Sequence, residues 1–153
     1  MCDGVDMARH ADIGADPHDL QRFVDAQQPV YDTVLAELRA GRKRTHWMWF
    51  VFPQLRELGR SPTARRYGIG SLAEATAYLD HPVLGPRLRE CARILAGIEN
   101  RTAEEIFGFP DWVKLRSSMT LFAHATADNA DFLAVLDRYY GGEQDPATLE
   151  LLA

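Results

Sequence analysis

His46-Trp47-Met48-Trp49-Phe50-Val51-Phe52-Pro53-Gln54, residues 46–54, is the stretch whose reading decides the fold. Trp47 to Phe52 are six consecutive apolar residues. A continuous apolar run carries no period, so it fits a buried strand and a buried helical turn equally well. The neighbours have to decide between them.

Upstream, Tyr31, Val34, Leu35 and Leu38 recur at the spacing of one helix face, and Gly41 is a natural stop. Before them, Asp16-Pro17 reads as an N-cap followed by a first-turn proline. Leu20, Phe23 and Val24 follow at helical spacing until Pro29 interrupts and restarts the pattern. Downstream, Arg60 to Gly70 holds Ser61-Pro62 and Gly68-Ile69-Gly70 around one turn of helix. Ser71 with Glu74 spells a capping box, as does Thr102 with Glu105. Leu84, Leu88, Cys91, Leu95 and Ile98 form a long stripe between them. Trp112 to Ala125 reads as a helix with Asp111 near its start. Phe132 to Tyr140 reads as another, stopped by Gly141-Gly142. Asp145-Pro146 repeats the opening cap device and starts a terminal helix through Leu152. So much helix around residues 47–52 favours a helical turn there. The expectation is a mostly α, compact multihelical single domain over residues 17–153, with about six to eight helices and little or no sheet. A disordered tail over residues 1–16 precedes it.

The bulk numbers agree with one ordinary domain. The 153 residues are 46% hydrophobic and 25% charged, enough to bury a core without disulfides or metals. No apolar run approaches the roughly 20 residues that span a bilayer, and residues 1–16 lack the basic and apolar regions of a signal peptide. Cys2 and Cys91 are far apart and show no metal-binding spacing, so neither a metal nor a cofactor is expected. A reducing, cytoplasmic setting is.

The net charge of −5 conceals segregation. Residues 1–38 carry eight acids against two bases, and residues 119–153 carry six against one. Residues 39–66 reverse this, with eight bases (Arg39, Arg42, Lys43, Arg44, Arg56, Arg60, Arg65, Arg66) against Glu57 alone. Such a block is either a solvated face beside acidic flanks or an anion-binding surface.

Three segments concentrate chemistry. In residues 46–54 the rings are core material, or Trp47 or Trp49 stacks on a flat ligand with His46 and Gln54 as polar ends. In Arg60 to Gly68, Arg65 and Arg66 beside Tyr67 are guanidinium forks for phosphate or carboxylate, or an exposed basic loop. In Ile106 to Phe122, Asp111, Lys114 and Ser118 fall at i, i+3 and i+7. The chain uses Arg fifteen times and Lys twice, at Lys43 and Lys114. Against that bias a lysine at 114 suggests a compact charge, or a base or nucleophile, where a guanidinium would not serve. The plain alternative is a surface Asp–Lys pair. No phosphate loop, nucleophile elbow or clustered metal motif is present.

These segments, with Tyr78-Leu79-Asp80-His81-Pro82-Val83-Leu84-Gly85-Pro86-Arg87-Leu88, resemble the bacterial domain-of-unknown-function family numbered 1810, over about residues 17–152. The resemblance implies a compact multihelical fold and no established activity. Some members carry a calpastatin label, and nothing in this sequence supports protease inhibition.

Three functions are therefore expected to compete. The first is a pocket for a small anionic, nucleotide-like ligand such as an ADP-ribose-type compound, built from Trp47, Trp49, Gln54, Arg65, Arg66, Tyr67, Lys114 and Ser118. In an enzyme, Lys114, Asp111 and His46 are the acid–base candidates. The second is single-stranded nucleic-acid binding through residues 42–66. The third is an adaptor, or a homodimer rather than a monomer, docking through the aromatic strip.

Overall fold

In the computed structural model, residues 15–153 are described. The expected tail over residues 1–16 thus lies almost wholly outside the described residues, as does Cys2. Ten α-helices follow in order: α1 (Gln21–Gln27), α2 (Tyr31–Arg39), α3 (Met48–Val51), α4 (Pro62–Arg66), α5 (Leu72–Asp80), α6 (Leu84–Ala96), α7 (Ala103–Phe107), α8 (Asp111–Ala125), α9 (Ala130–Tyr140) and α10 (Pro146–Leu152). A 3₁₀ turn, Arg56–Leu58, lies between α3 and α4. The count exceeds six to eight because the single turns expected at residues 47–52 and within Arg60 to Gly70 stand as helices of their own, α3 and α4.

Helix α8 is the axis. Leu115, Met119, Leu121 and Phe122 are all fully buried, with Ser117, Ser118, Thr120 and Ala123 enclosed beside them. A helix enclosed on most sides loses the one-sided stripe of a surface helix. Helices α5, α7, α9 and α10 pack against it, α6 joins α5 to α9, and α2 lies on α6. Each large side chain fully buried here contributes about 1.5–3 kcal/mol.

Local chemistry sets the helix starts. Ser61 Oγ accepts from Ala64 N, with Pro62 in the first turn, and Thr102 with Glu105 closes both halves of a capping box. Asp145 accepts from Thr148 N before Pro146. Ser71 makes only half of its box. Its Oγ accepts from Glu74 N, but Glu74 Oε1 takes the Gly70 N–H instead. Asp16 is not the N-cap and Pro17 is not in the first turn: the N-cap is Leu20, and Asp16 accepts from Leu20 N and Gln21 N from outside the helix. The helix begins at Gln21 because Asp19 adopts a left-handed conformation, φ 50°.

The deciding stretch becomes one helical turn. Val51 N bonds Trp47 O and Phe52 N bonds Met48 O. The chain then runs extended, and Leu55 and Ile69 form an isolated parallel bridge, the only strand-like pairing among the described residues. Trp47, Met48, Val51 and Phe52 are buried, while Trp49 and Phe50 are half-buried. Four of the six side chains thus belong to the core, which leaves no continuous aromatic strip at the surface.

A largely enclosed ion pair and a buried amide pin this half of the molecule. Arg22, on α1, donates to His18 O, Asp19 O, Arg66 O and Gly68 O and pairs with Glu74 Oε2 at 2.9 Å. Gln27 Nε2 donates to Phe50 O at 2.7 Å and to the Tyr78 hydroxyl at 3.0 Å.

Candidate functional site

The site is built from the end of α2. Glu37 is buried, and its carboxylate accepts from Arg44 N, Thr45 N, Thr45 Oγ1 and the indole Nε1 of Trp47, at 2.8–3.1 Å. Burial alone pushes its carboxyl up, but these donors outweigh burial and hold it below the ordinary carboxylate range. The loop from Arg42 to Trp47 is thereby wrapped around one anion. Trp47 is 1% exposed and points inward. Its ring packs against Phe52 and Phe107, 6.2 and 6.3 Å between centroids.

The same loop delivers Lys43. Its backbone N–H docks on Ile106 O, and its Nζ lies 2.9 Å from Asp111 Oδ2 and 2.6 Å from Thr45 O. Asp111 sits in the first turn of α8, where the helix dipole favours a carboxylate. Its other oxygen is 3.9 Å from Lys114 Nζ. The two lysines of the chain therefore converge on one carboxylate. Each also lies over an indole, Lys43 over Trp47 at 5.1 Å and Lys114 over Trp49 at 5.5 Å.

Trp49, Gln54, Tyr67 and Lys114 line one crevice, with Met48, Phe52 and Ala64 behind them. It holds about 10 Å³, roughly room for one water. Gln54 and Lys114 also border an open groove of about 290 Å³. Leu58, Phe109, Pro110, Val113 and Ala147 supply its apolar walls, and Ser117 and Asp145 its polar end. Phe109 is 79% exposed there. Asp145 Oδ2 is occupied by Ser117 Oγ and by Thr148 N and Oγ1.

Four of the eight expected ligand contacts, Trp49, Gln54, Tyr67 and Lys114, thus share one crevice. The other four lie elsewhere. Trp47 is in the core. Ser118 is fully buried on α8, with an Oγ that finds no hydrogen-bond partner among the described residues. Arg65 and Arg66 line a different concavity, with Arg22, Arg56 and Glu74. Of the acid–base candidates, Asp111 and Lys114 are paired, and His46 is exposed and does not line the crevice. Sequence reasoning missed Glu37, Lys43 and the Phe109–Val113 wall. The scarcity of lysine that singled out Lys114 applied equally to Lys43. No local pattern announces Glu37, whose four donors all come from residues seven to ten positions downstream.

The family described as "Protein of unknown function (DUF1810)" matches residues 17–152. The chain belongs to this family. A solved structure of similar shape is that of the conserved hypothetical protein Rv1873 from Mycobacterium tuberculosis, determined at 1.38 Å. It is 64% identical, with a TM-score of 0.89 over 90% of this chain and 98% of that one. No curated protein matches the chain. Family membership therefore accounts for the multihelical fold and names no reaction. Among the described residues no helix is long and apolar enough to cross a membrane, and no group of three or more His, Cys, Asp or Glu could hold a metal.

Proposed function

We propose that this protein binds a small organic anion, nucleotide-like in having a flat or apolar body and one acidic group, in the groove beside Trp49. The observation that carries the reading is Lys114. Its ammonium is held between Asp111 and the face of Trp49, at the junction of crevice and groove. Two lysines face Asp111, so Lys114 is only partly matched by that carboxylate, and Asp145, at the far polar end of the groove, is occupied by Ser117 and Thr148. An ammonium placed in this way serves a ligand as a point charge. The proposal is accordingly one of binding. Gln54, shared by crevice and groove, supplies a donor and an acceptor, and Leu58, Pro110 and Val113 supply the apolar bed. A volume near 290 Å³ suits a ligand at the small end of the usual range.

The test uses Lys114→Met, which keeps the apolar stem and removes the charge. Nucleoside monophosphates, ADP-ribose and flat aromatic carboxylates are scanned by thermal shift and by Trp49 fluorescence. A true ligand at a hundred times its Kd stabilises by about 2.7 kcal/mol, or roughly 5–10 °C for a domain of this size. Lys114→Met is expected to melt within a few degrees of the parent and to lose that shift. A variant that still responds fully to the ligand defeats the reading.

A further inference from the structure

The concavity that holds Arg65 and Arg66 is separate from the Lys114 groove and has its own construction. It starts with a fold-back of the chain. Arg56 N donates to Ile69 O and Ile69 N to Gln54 O, so residues 54–56 run beside residues 68–69. The approach is so close that a Cβ on Gly68 would sit 2.4 Å from Arg56 Cα. This contact brings Arg56 beside the end of α4, where Arg65 and Arg66 project. Arg22 fixes the floor. Its guanidinium is saturated by the carbonyls of His18, Asp19, Arg66 and Gly68 and by Glu74. The floor is therefore close to neutral and rigid.

The wall is neither neutral nor saturated. Arg56, Arg65 and Arg66 are exposed and, among the described residues, have no carboxylate partner. Arg66 is steadied by the Tyr67 ring, 5.6 Å away. Four arginines against Asp19 and Glu74 leave a net charge of two on the lining. The bowl encloses about 540 Å³, and among the described residues Pro17 is the sole apolar residue around it. A ligand here gains nothing from an apolar or stacked body. It gains from oxygens bearing about two negative charges that guanidinium forks can grip.

We propose that this bowl is a second anion site, which takes the dianionic phosphate end of a small phosphate or pyrophosphate ester through Arg56, Arg65 and Arg66. It is independent of the Lys114 groove, and either site stands if the other fails.

Inorganic pyrophosphate is the probe, titrated by calorimetry into the full chain. Saturable binding at one equivalent is expected. Arg65→Ala and Arg66→Ala should each weaken it about tenfold, the usual loss for a charge-assisted hydrogen bond. Arg60→Ala, an exposed arginine outside the bowl, should leave it unchanged. Circular dichroism confirms that the variants fold, which is expected because the removed groups are exposed and the Arg66 carbonyl that holds Arg22 remains. Three results overturn the proposal. One is no saturable binding. Another is loss in Lys114→Met with retention in Arg65→Ala. The third is a single-stranded oligonucleotide that binds more than a hundredfold tighter than pyrophosphate, with the steep salt dependence of many phosphate contacts. That last outcome makes the arginines a nucleic-acid surface.

Discussion

Replacing Glu37 by Ala removes the acceptor around which residues 42–47 are wrapped. Four donors lose their partner. Arg44 and Thr45 are exposed, so their groups can turn to water, at about 0.5–1 kcal/mol each. The indole N–H of Trp47 is enclosed and cannot, which costs about 1–3 kcal/mol. The sum is about 2.5–6 kcal/mol, a large share of the ordinary stability of a domain. The melting temperature should fall by roughly 5–20 °C. Glu37→Gln isolates the charge, because it keeps the shape and one acceptor oxygen, and should cost about 1–2 kcal/mol at neutral pH. The sign of the pH dependence follows from the depressed folded-state carboxyl. Its contribution is present above the unfolded value, near 4.3, and is lost as the pH falls through the folded value. Urea unfolding of parent and Glu37→Gln between pH 7 and pH 3 should therefore converge at the acid end, with equal slopes in denaturant. A Glu37→Ala variant within 1 kcal/mol of the parent at pH 7, or a parent–Gln gap that ignores pH, refutes the reasoning.

Arg22→Met strands Glu74, whose side chain is 5% exposed, and should cost about 3–5 kcal/mol by urea unfolding; adding Glu74→Gln should recover much of it. If the double variant is no better than the single, the ion pair is not the cause. Gly85→Ala puts a Cβ 2.0 Å from Leu79 O, between α5 and α6. Neither backbone can yield cheaply, so a loss of at least about 3 kcal/mol is expected in the same assay, and a stable variant would show that the two helices part more easily than their packing implies. Burial pushes the Cys91 thiol up to about 12. With Cys2 replaced by Ser, a thiol reagent at pH 8 should leave the native protein unmodified and react once in urea; rapid labelling of the native state would contradict it.

How much of this was legible depended on whether a signal was local. Ser61, Thr102 and Asp145 cap as their sequences advertise, because a cap is settled within four residues. The long stripes of α2 and α6 were likewise plain. Residues 47–52 resisted, since an apolar run carries no period and its form depends on what lies around it. Its two outward members, Trp49 and Phe50, are chosen by the packing of α1, α3 and α4. Ser71 and Glu74 show a local motif diverted: Glu74 Oε1 takes the Gly70 N–H and Oε2 the guanidinium of Arg22, 52 positions away, so neither oxygen closes the box. The candidate site was half legible for the same reason. Composition pointed at the rings and the lysine, but the division of Lys114 from Arg65 and Arg66 between two concavities belongs to the fold-back at Gly68.

The meeting of both lysines on Asp111 also makes the protein its own reporter. Apart from any terminal amine, the chain offers amine-directed reagents two targets, with side chains 7% and 24% exposed, Lys43 and Lys114. Acylation should run through Lys114 first and reach Lys43 only after the loop at residues 42–47 loosens. The ratio of the two modified peptides in a mass spectrum then works as a two-channel gauge, one channel following the mouth of the groove and the other the integrity of the loop. No dye or tag has to be introduced, because fifteen of the seventeen basic residues are arginines and stay silent to the reagent.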